Sequence, residues 1–389
     1  MRVPERLFSW GIVGAGAIAR QFAEDMRHVP DARIGAVHVR SGKLLLGFPA
    51  SDDARIHASL NTLLADPAID AIYIATPNST HAELALAAIA AGKPVLVEKP
   101  LATTSADAQR IADVAARANV FAMEAMWSRF LPAVQAAREI VRSGELGDIV
   151  SVRAELAYRR DETADGRFFD PALGGGASLD LGVYPLSLAL FLFGQPTAVS
   201  GSWRAARTGV DMRADYDLRF GDAVANLSCG FDRDGDNRFI VVGTRGALVL
   251  HAPFLKAQRL TLFRGWAKDF PLLGASAAPA SLPGRILARL PMPGRSIRSY
   301  AFPGGGLQFE IEAAMQAIRD GSAQSAAMPL ADSIAALAHA IEGGPKPFLS
   351  GDMAVHLTEL ALAISNAGGS AQPYRVRSLR PADEPEPSR

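Results

Sequence analysis

A strand that runs straight into two closely spaced glycines and then into a helix leaves a chain few folds to choose from. Leu7–Val13 is apolar enough for a buried strand. Gly14-Ala15-Gly16-Ala17-Ile18-Ala19 follows at once, and a helix over Arg20–His28 stops before Pro30. In this arrangement Gly14 makes the tight turn and Gly16 lets a pyrophosphate approach the backbone. Ala19 permits close helix-on-strand packing, and the helix N-terminus at Ala17 and Ile18 faces the phosphates. The stretch predicts a dinucleotide-binding, doubly wound α/β unit at the start of the chain.

The next elements keep that rhythm. Arg33–Val39 reads as the second strand, whose end carries an acid when the ribose 2′-hydroxyl of NAD is to be gripped. Here the end is Val39-Arg40-Ser41. A cation and a hydroxyl suit a 2′-phosphate, so NADP is the expected cofactor and NAD the alternative. Leu60–Ala65 is a short helix, and Ala71–Ala75 a strand leading into Thr76-Pro77-Asn78-Ser79-Thr80-His81. Ser79 or Thr80 can cap a helix His81–Ala91, with Gly92 past its end. Val95-Leu96-Val97 is a buried strand that ends in Glu98-Lys99-Pro100, and strand ends are where open α/β sheets meet ligands, so Lys99 projects into the crevice. A helix over Ser105–Ala118, with Ser105 as N-cap, and a strand Val120–Met123 complete the half.

At 389 residues the chain has room for at least two domains. We divide it into residues 1–124, a dinucleotide-binding domain, residues 125–379, a substrate and oligomerisation domain, and a disordered Pro- and Glu-rich tail at 380–389. With 40 basic and 40 acidic residues the formal charge is zero, which gives no reason to expect a nucleic-acid or anionic-membrane partner. The one cysteine, Cys229, excludes an internal disulfide framework. The first strand begins too early to follow a signal peptide, and Val183–Phe193 is too short to span a bilayer. These features predict a soluble cytoplasmic protein. No metal-ligand spacing and no internal repeat is found.

After the helix Pro132–Arg142 the pattern changes to strand upon strand: Val150–Tyr158, Ala198–Ala205, Ala214–Phe220, Ala223–Phe231, Arg238–Val242, Ala247–Leu250 and Arg259–Arg264. This predicts an α+β domain with a mostly antiparallel open sheet. Between the first two strands lies Gly174-Gly175-Gly176-Ala177-Ser178-Leu179-Asp180-Leu181-Gly182-Val183-Tyr184-Pro185. Ser178 can cap a helix to Phe193 on which Asp180 and Tyr184 share a face, and Pro185 should kink it near its start. The glycine run reads as a linker or, more in keeping with the rest, as a close backbone approach to substrate. Gly265–Pro303 has no clear period, and Gly306–Asp320, Leu330–Ile341 and Asp352–Ala367 read as amphipathic helices.

Gly14-x-Gly16-x-x-Ala19, Ala75-Thr76-Pro77-Asn78 with His81, and Glu98-Lys99-Pro100 together resemble the oxidoreductase family typified by glucose–fructose oxidoreductase and inositol dehydrogenase (Gfo/Idh/MocA). Glu124-Ala125-Met126-Trp127-Ser128-Arg129-Phe130-Leu131-Pro132 is similar to the branch of dimeric dihydrodiol dehydrogenases and NADP-dependent aldose dehydrogenases. The resemblance implies hydride transfer between nicotinamide and a carbinol or carbonyl of a polyol, sugar or cyclic diol. It implies Lys99 and Tyr184 as catalytic residues, Asp180 positioning substrate or Lys99, and a Lys99–Pro100 bond that is often cis. It adds Trp127 and Arg129 beside the dinucleotide, with Thr76, Pro77, Asn78, His81 and Glu98 along the cofactor crevice. It also implies a homodimer or higher oligomer built on the open sheet. The expected chemistry is that Tyr184 relays the proton while the Lys99 ammonium lowers its pKa. Nucleotide-binding regulators and NAD-retaining glycosidases also belong to the resembling family. Lys99, Asp180 and Tyr184 occurring together argue against the first, and Arg40 against the second.

Overall fold

The computed structural model describes residues 6–40, 47–51, 53–162, 166–265 and 294–342. Ser41, the helix expected over Asp352–Ala367, most of Gly265–Pro303 and the tail lie outside the described residues.

The first sheet contains β1 (Phe8–Val13), β2 (Ala32–His38), β3 (Arg55–His57), β4 (Ala71–Ile74), β5 (Val95–Glu98) and β6 (Ala122–Ala125). Their order is β3-β2-β1-β4-β5-β6, and every pairing is parallel. Strands buried on both faces read as unbroken apolar runs, and Trp10, Ile12, Ile72, Tyr73, Val95, Leu96 and Val97 are all fully buried. The connections carry helices α1 (Ala17–Asp25), α2 (Leu60–Leu64), α3 (His81–Ala90) and α4 (Ser105–Ala118). Strand order reverses between β1 and β4, which places the ligand crevice beyond their carboxyl ends.

Two caps differ from expectation. Thr104, not Ser105, caps α4, its hydroxyl accepting from the Asp107 N–H at 3.0 Å. Neither Ser79 nor Thr80 caps α3: the Thr80 hydroxyl lies 2.7 Å from both Thr76 Oγ1 and the Pro77 carbonyl oxygen.

After α5 (Pro132–Arg142) the chain enters a second sheet of β7 (Ile149–Ala157), β8 (Ala198–Ala205), β9 (Asp211–Phe220), β10 (Ala223–Gly230), β11 (Phe239–Gly243), β12 (Gly246–Leu250), β13 (Arg259–Arg264) and β14 (Arg295–Ser299). The order is β14-β13-β12-β11-β7-β10-β9-β8, antiparallel throughout except for the β7–β10 pair. Gly221-Asp222 forms the two-residue turn between β9 and β10, with Gly221 at φ 63°. β14 lies within Gly265–Pro303, where the sequence shows no clear period.

Helix α6 (Val183–Phe193) is buried from Val183 through Leu192 and packs on β7, β10 and α5. The helical run that contains it, Pro171–Phe193, is long and apolar enough to cross a membrane, but 89% of its apolar window is buried inside the protein. It is a core helix. The expected kink at Pro185 takes another form. Residues Ser178–Gly182 make a wide π-turn that leads into α6, and it ends where the missing Pro185 N–H would have bonded Leu181. Ser178 therefore does not cap a helix.

Helices α7 (Gln308–Arg319) and α8 (Leu330–Glu342) follow. Gly305 and Leu307 donate to the Asp25 carboxylate at the end of α1, at 2.7 and 2.9 Å, and α8 packs on both α6 and α4. The last described part of the chain thus lies against elements of both sheets.

Candidate active site

The segment that carries Lys99 is held by buried side chains at each backbone polar group. Glu98 Oε2 accepts from the Lys99 N–H at 3.2 Å, and Glu124 Oε1 accepts from the Leu101 N–H at 2.8 Å. His81 Nδ1 lies 2.8 Å from the Pro100 carbonyl oxygen and its Nε2 lies 2.9 Å from that of Thr76. The Lys99–Pro100 peptide is cis. Burial pushes His81 below its ordinary pKa, against the two carbonyl contacts that favour the cation, so the neutral ring donates to one of them. His81 is fully buried. It braces the Thr76 loop against the Lys99 loop.

Lys99 Nζ donates to the Asp180 carbonyl at 2.6 Å and to Asp180 Oδ1 at 3.1 Å. It also stands 4.9 Å above the centre of the Tyr184 ring. The Tyr184 hydroxyl accepts from the Trp127 indole N–H at 3.0 Å. The four residues expected at the site therefore converge, with Lys99 and Asp180 side chains 13% and 12% exposed. Burial works against the Lys99 ammonium, but Asp180, Tyr184 and Glu98 outweigh it and hold its pKa above the usual lysine value. Burial also works against the Asp180 carboxylate, and the Lys99 and Arg167 charges outweigh it and hold Asp180 below the usual range.

Tyr184 departs from expectation. Its burial outweighs the nearby ammonium, and its pKa is pushed up to about 12. Lys99 faces the ring rather than the hydroxyl, so its charge acts at a distance from the oxygen that would become phenolate. In the free protein Tyr184 is a neutral phenol.

The π-turn presenting Asp180 is itself fixed by a buried polar chain that the sequence did not announce. Tyr216 donates to Ser178 Oγ at 2.6 Å, and the Ser178 hydroxyl and N–H donate to Asp211 Oδ2 at 2.7 and 2.6 Å. The glycine run is a close approach to protein rather than to an open pocket. A Cβ on Gly174 would sit 2.5 Å from Thr103 Cγ2 and 3.0 Å from Asn78 Cβ. The Gly174 carbonyl accepts from Asn78 Nδ2 at 2.9 Å, tying the run to the Thr76-Pro77-Asn78 loop.

At the dinucleotide end, Gly14 has φ 101° and a Cβ there would lie 2.4 Å from the Ala75 carbonyl oxygen. Gly16 is different: a Cβ built on it meets nothing within 4 Å, so the space before α1 is open. The first intrahelical bond is Arg20 N–H to the Gly16 carbonyl, so the amides of Ala17, Ile18 and Ala19 are free helix-end donors. Open space at a helix N-terminus beside a glycine fits a nicotinamide dinucleotide. Arg40 is exposed at the end of β2.

Two further residues sit differently from expectation. Arg129 is fully buried, its guanidinium donating to Ser187 Oγ at 2.7 Å, the Ser187 carbonyl at 2.7 Å, the Ala327 carbonyl at 3.2 Å and Asp332 Oδ2 at 2.7 Å. It joins α6 to α8. The Glu98 carboxyl turns to the Tyr73 hydroxyl, and burial raises its pKa to about 7.

A parallel sheet with a dinucleotide fingerprint, at whose carboxyl edge Lys99 meets Asp180 and Tyr184 from the second domain, defines a nicotinamide-dependent oxidoreductase. Residues 8–126 match the family described as oxidoreductase, NAD-binding Rossmann fold, and residues 134–249 match the GFO/IDH/MocA C-terminal domain; the chain belongs to this family. It is 31% identical over 331 residues to trans-1,2-dihydrobenzene-1,2-diol dehydrogenase of Bos taurus, covering 83% of this chain and 92% of the relative. It is 28% identical over 367 residues to D-xylose 1-dehydrogenase (NADP(+)) of Hypocrea jecorina, covering 84% and 88%. Levoglucosan dehydrogenase in complex with NADH and levoglucosan shares the fold at TM-score 0.71 and 21% identity, covering 87% of this chain and 97% of that one.

Proposed function

We propose that this protein is an NADP-dependent dehydrogenase or reductase acting on a carbinol or carbonyl of a sugar or cyclic diol. The observation that carries the reading is the convergence of Lys99, Asp180, Trp127 and Tyr184 at the carboxyl edge of the first sheet. The bound nicotinamide supplies the hydride acceptor or donor. Lys99 presents a charged donor to the substrate oxygen and is held on station by Asp180. Tyr184, fixed by Trp127, gives a proton to that oxygen as the neutral phenol when a carbonyl is reduced and takes one back as the phenolate when a carbinol is oxidised. The buried setting of all four side chains keeps water from competing for the same oxygen. Gly16, Ala17 and Ile18 would receive the pyrophosphate, and Arg40 with Ser41 the 2′-phosphate. The D-xylose dehydrogenase relative uses NADP(+) by its name, which supports the same preference.

The same proposal includes a cytoplasmic homodimer. The face of the second sheet that carries Arg153, Glu155, Asp215, Asp217, Asn226 and Arg238 forms a shallow surface concavity, and a self-complementary mixture of charges suits a two-fold contact. The test of function is NADPH absorbance across a panel of aldoses, polyols and cyclic diols in both directions. Turnover of one class with NADP supports the reading. Tight NADPH binding without turnover of any class contradicts it.

A further inference from the structure

Beside the catalytic cluster stands a pair of arginines that the mechanism above does not use. Arg160 and Arg167 stack on the same phenyl ring, their guanidinium carbons 3.6 and 4.2 Å from the Phe168 centroid. Arg160 also lies 5.5 Å over Phe231, which packs edge-on to Phe168. Arg167 Nη2 comes within 3.9 Å of Asp180 Oδ1, the oxygen that accepts from Lys99. The two cations share one carboxylate oxygen, so they lie no farther apart than those two distances combined. Arg167 is at the mouth of the site, its side chain 59% exposed.

Neither guanidinium donates a hydrogen bond to a described residue, and the buried Nε of Arg160 has no partner among them. Of the acids close to them in sequence, Asp170 accepts from the Ala172 N–H at 2.8 Å and Glu162 accepts from the Arg207 N–H. Lys99, Arg167 and Arg160 all act on the Asp180 carboxylate through their charges. A further cation, Lys256, stands 5.4 Å over the Trp127 ring.

We propose that the substrate is a hydroxylated compound carrying an anionic group, carboxylate or phosphate, which Arg167 and Arg160 hold while its carbinol lies against Lys99 and Tyr184. This deepens the oxidoreductase reading and rests on it. A guanidinium presents a planar fork matched to both anions. Stacking on Phe168 orders the two forks before the ligand arrives, which lowers the entropy lost on binding. Arg167 is only loosely paired to Asp180, so it can turn to a stronger acceptor without uncovering the Lys99–Asp180 pair. A neutral sugar would leave both forks without acceptors in a half-dry site.

The test uses the full-length protein with NADP and three matched probes: D-glucose, D-glucuronate and D-glucose 6-phosphate. The expected result is a higher kcat/KM for one anionic probe than for glucose, falling as salt is added. Which anion wins distinguishes carboxylate from phosphate. Arg167→Gln should lower the anionic-to-neutral ratio by about tenfold to hundredfold, through KM, and Arg167→Lys should recover part of it. Glucose used as well as both anions, or a ratio untouched by Arg167→Gln, overturns the inference. If no probe is turned over, titration of the NADPH complex with the same three decides. Selective anion binding that Arg167→Gln abolishes upholds the anion site and refutes the redox reading, whereas binding without selectivity refutes the anion site.

Discussion

Lys99 is joined to Asp180 twice, through the backbone carbonyl at 2.6 Å and through the carboxylate at 3.1 Å. The two contacts do different things. The carbonyl fixes where the ammonium sits, and the carboxylate fixes that it stays charged, because burial alone would drive the proton off.

Asp180→Asn separates those effects. The carbonyl contact survives, so Lys99 keeps its place, but its pKa should fall below the normal lysine value once the counter-charge is gone. Lys99 is the charged form below its folded pKa, so activity that needs the ammonium is lost as pH rises through that value. The alkaline limb of the rate profile should therefore move to lower pH. Profiles of kcat/KM for wild type and variant check this. An unmoved alkaline limb would remove Asp180 from the role of holding that charge.

The two fingerprint glycines should fail in opposite ways. Gly16→Val adds a side chain where nothing of the protein lies within 4 Å, at an ordinary φ of −73°. It should leave the melting temperature near wild type and weaken NADPH binding by tenfold or more, on the order of 1.4 kcal/mol at least. Gly14→Ala meets the Ala75 carbonyl at 2.4 Å with φ 101°. It should cost roughly 1–3 kcal/mol of stability whether or not cofactor is present. Thermal melts with and without NADPH separate the two cases.

Arg129 and Asp332 form an ion pair whose arginine is fully buried. Asp332→Ala leaves that charge uncompensated and should cost about 3–5 kcal/mol, a fall in melting temperature on the order of 10 °C. Replacing both partners, Arg129→Met with Asp332→Leu, should restore most of the loss. Were Arg129 a cofactor contact instead, the double variant would fold well and still bind NADPH poorly.

The contrast between Arg129 and Lys99 indicates what could be read in the sequence. Strands with two buried faces, such as β4 and β5, declare themselves by unbroken apolar runs. The two strands that escaped notice, β3 and β14, are the outermost of their sheets. Arg55 and Ile56 of β3, and Ile297 of β14, are exposed. An edge strand with no buried face leaves no alternation to detect. Lys99, Trp127, and Asp180 with Tyr184 were legible because each sits in a stretch that resembles one family. The partners of Arg129 were not legible because Asp332 lies 203 residues away, nor those of His81, because its two carbonyl partners are backbone and carry no signature. Arg167 was missed because its meaning comes from Phe168 and Asp180, which only the fold brings to it. The Tyr184 pKa was misjudged for a related reason: proximity to an ammonium was foreseen, but complete burial of the phenol was not.

That pKa gives the reaction a direction-dependent pH profile. With Tyr184 pushed up to about 12, the neutral donor is fully populated across the physiological range, so carbonyl reduction should be insensitive to this group. Carbinol oxidation draws on the phenolate, whose fraction rises about tenfold per pH unit below that value. The oxidation rate constant should climb from pH 7 to pH 10 without levelling. A plateau below pH 8 would mean that substrate or cofactor lowers the Tyr184 pKa far more than Lys99 does.

The most direct measurement is single-turnover hydride transfer in Tyr184→Phe, with NADPH affinity determined on the same protein. The change removes the hydroxyl that Trp127 holds and leaves the ring beneath Lys99 in place. A positioned proton donor is worth about 10²- to 10⁴-fold in rate, so transfer should slow by that factor while NADPH binding stays within about twofold. A variant that transfers hydride within about threefold of wild type, with the chemical step rate-limiting, would contradict Tyr184 as the proton relay.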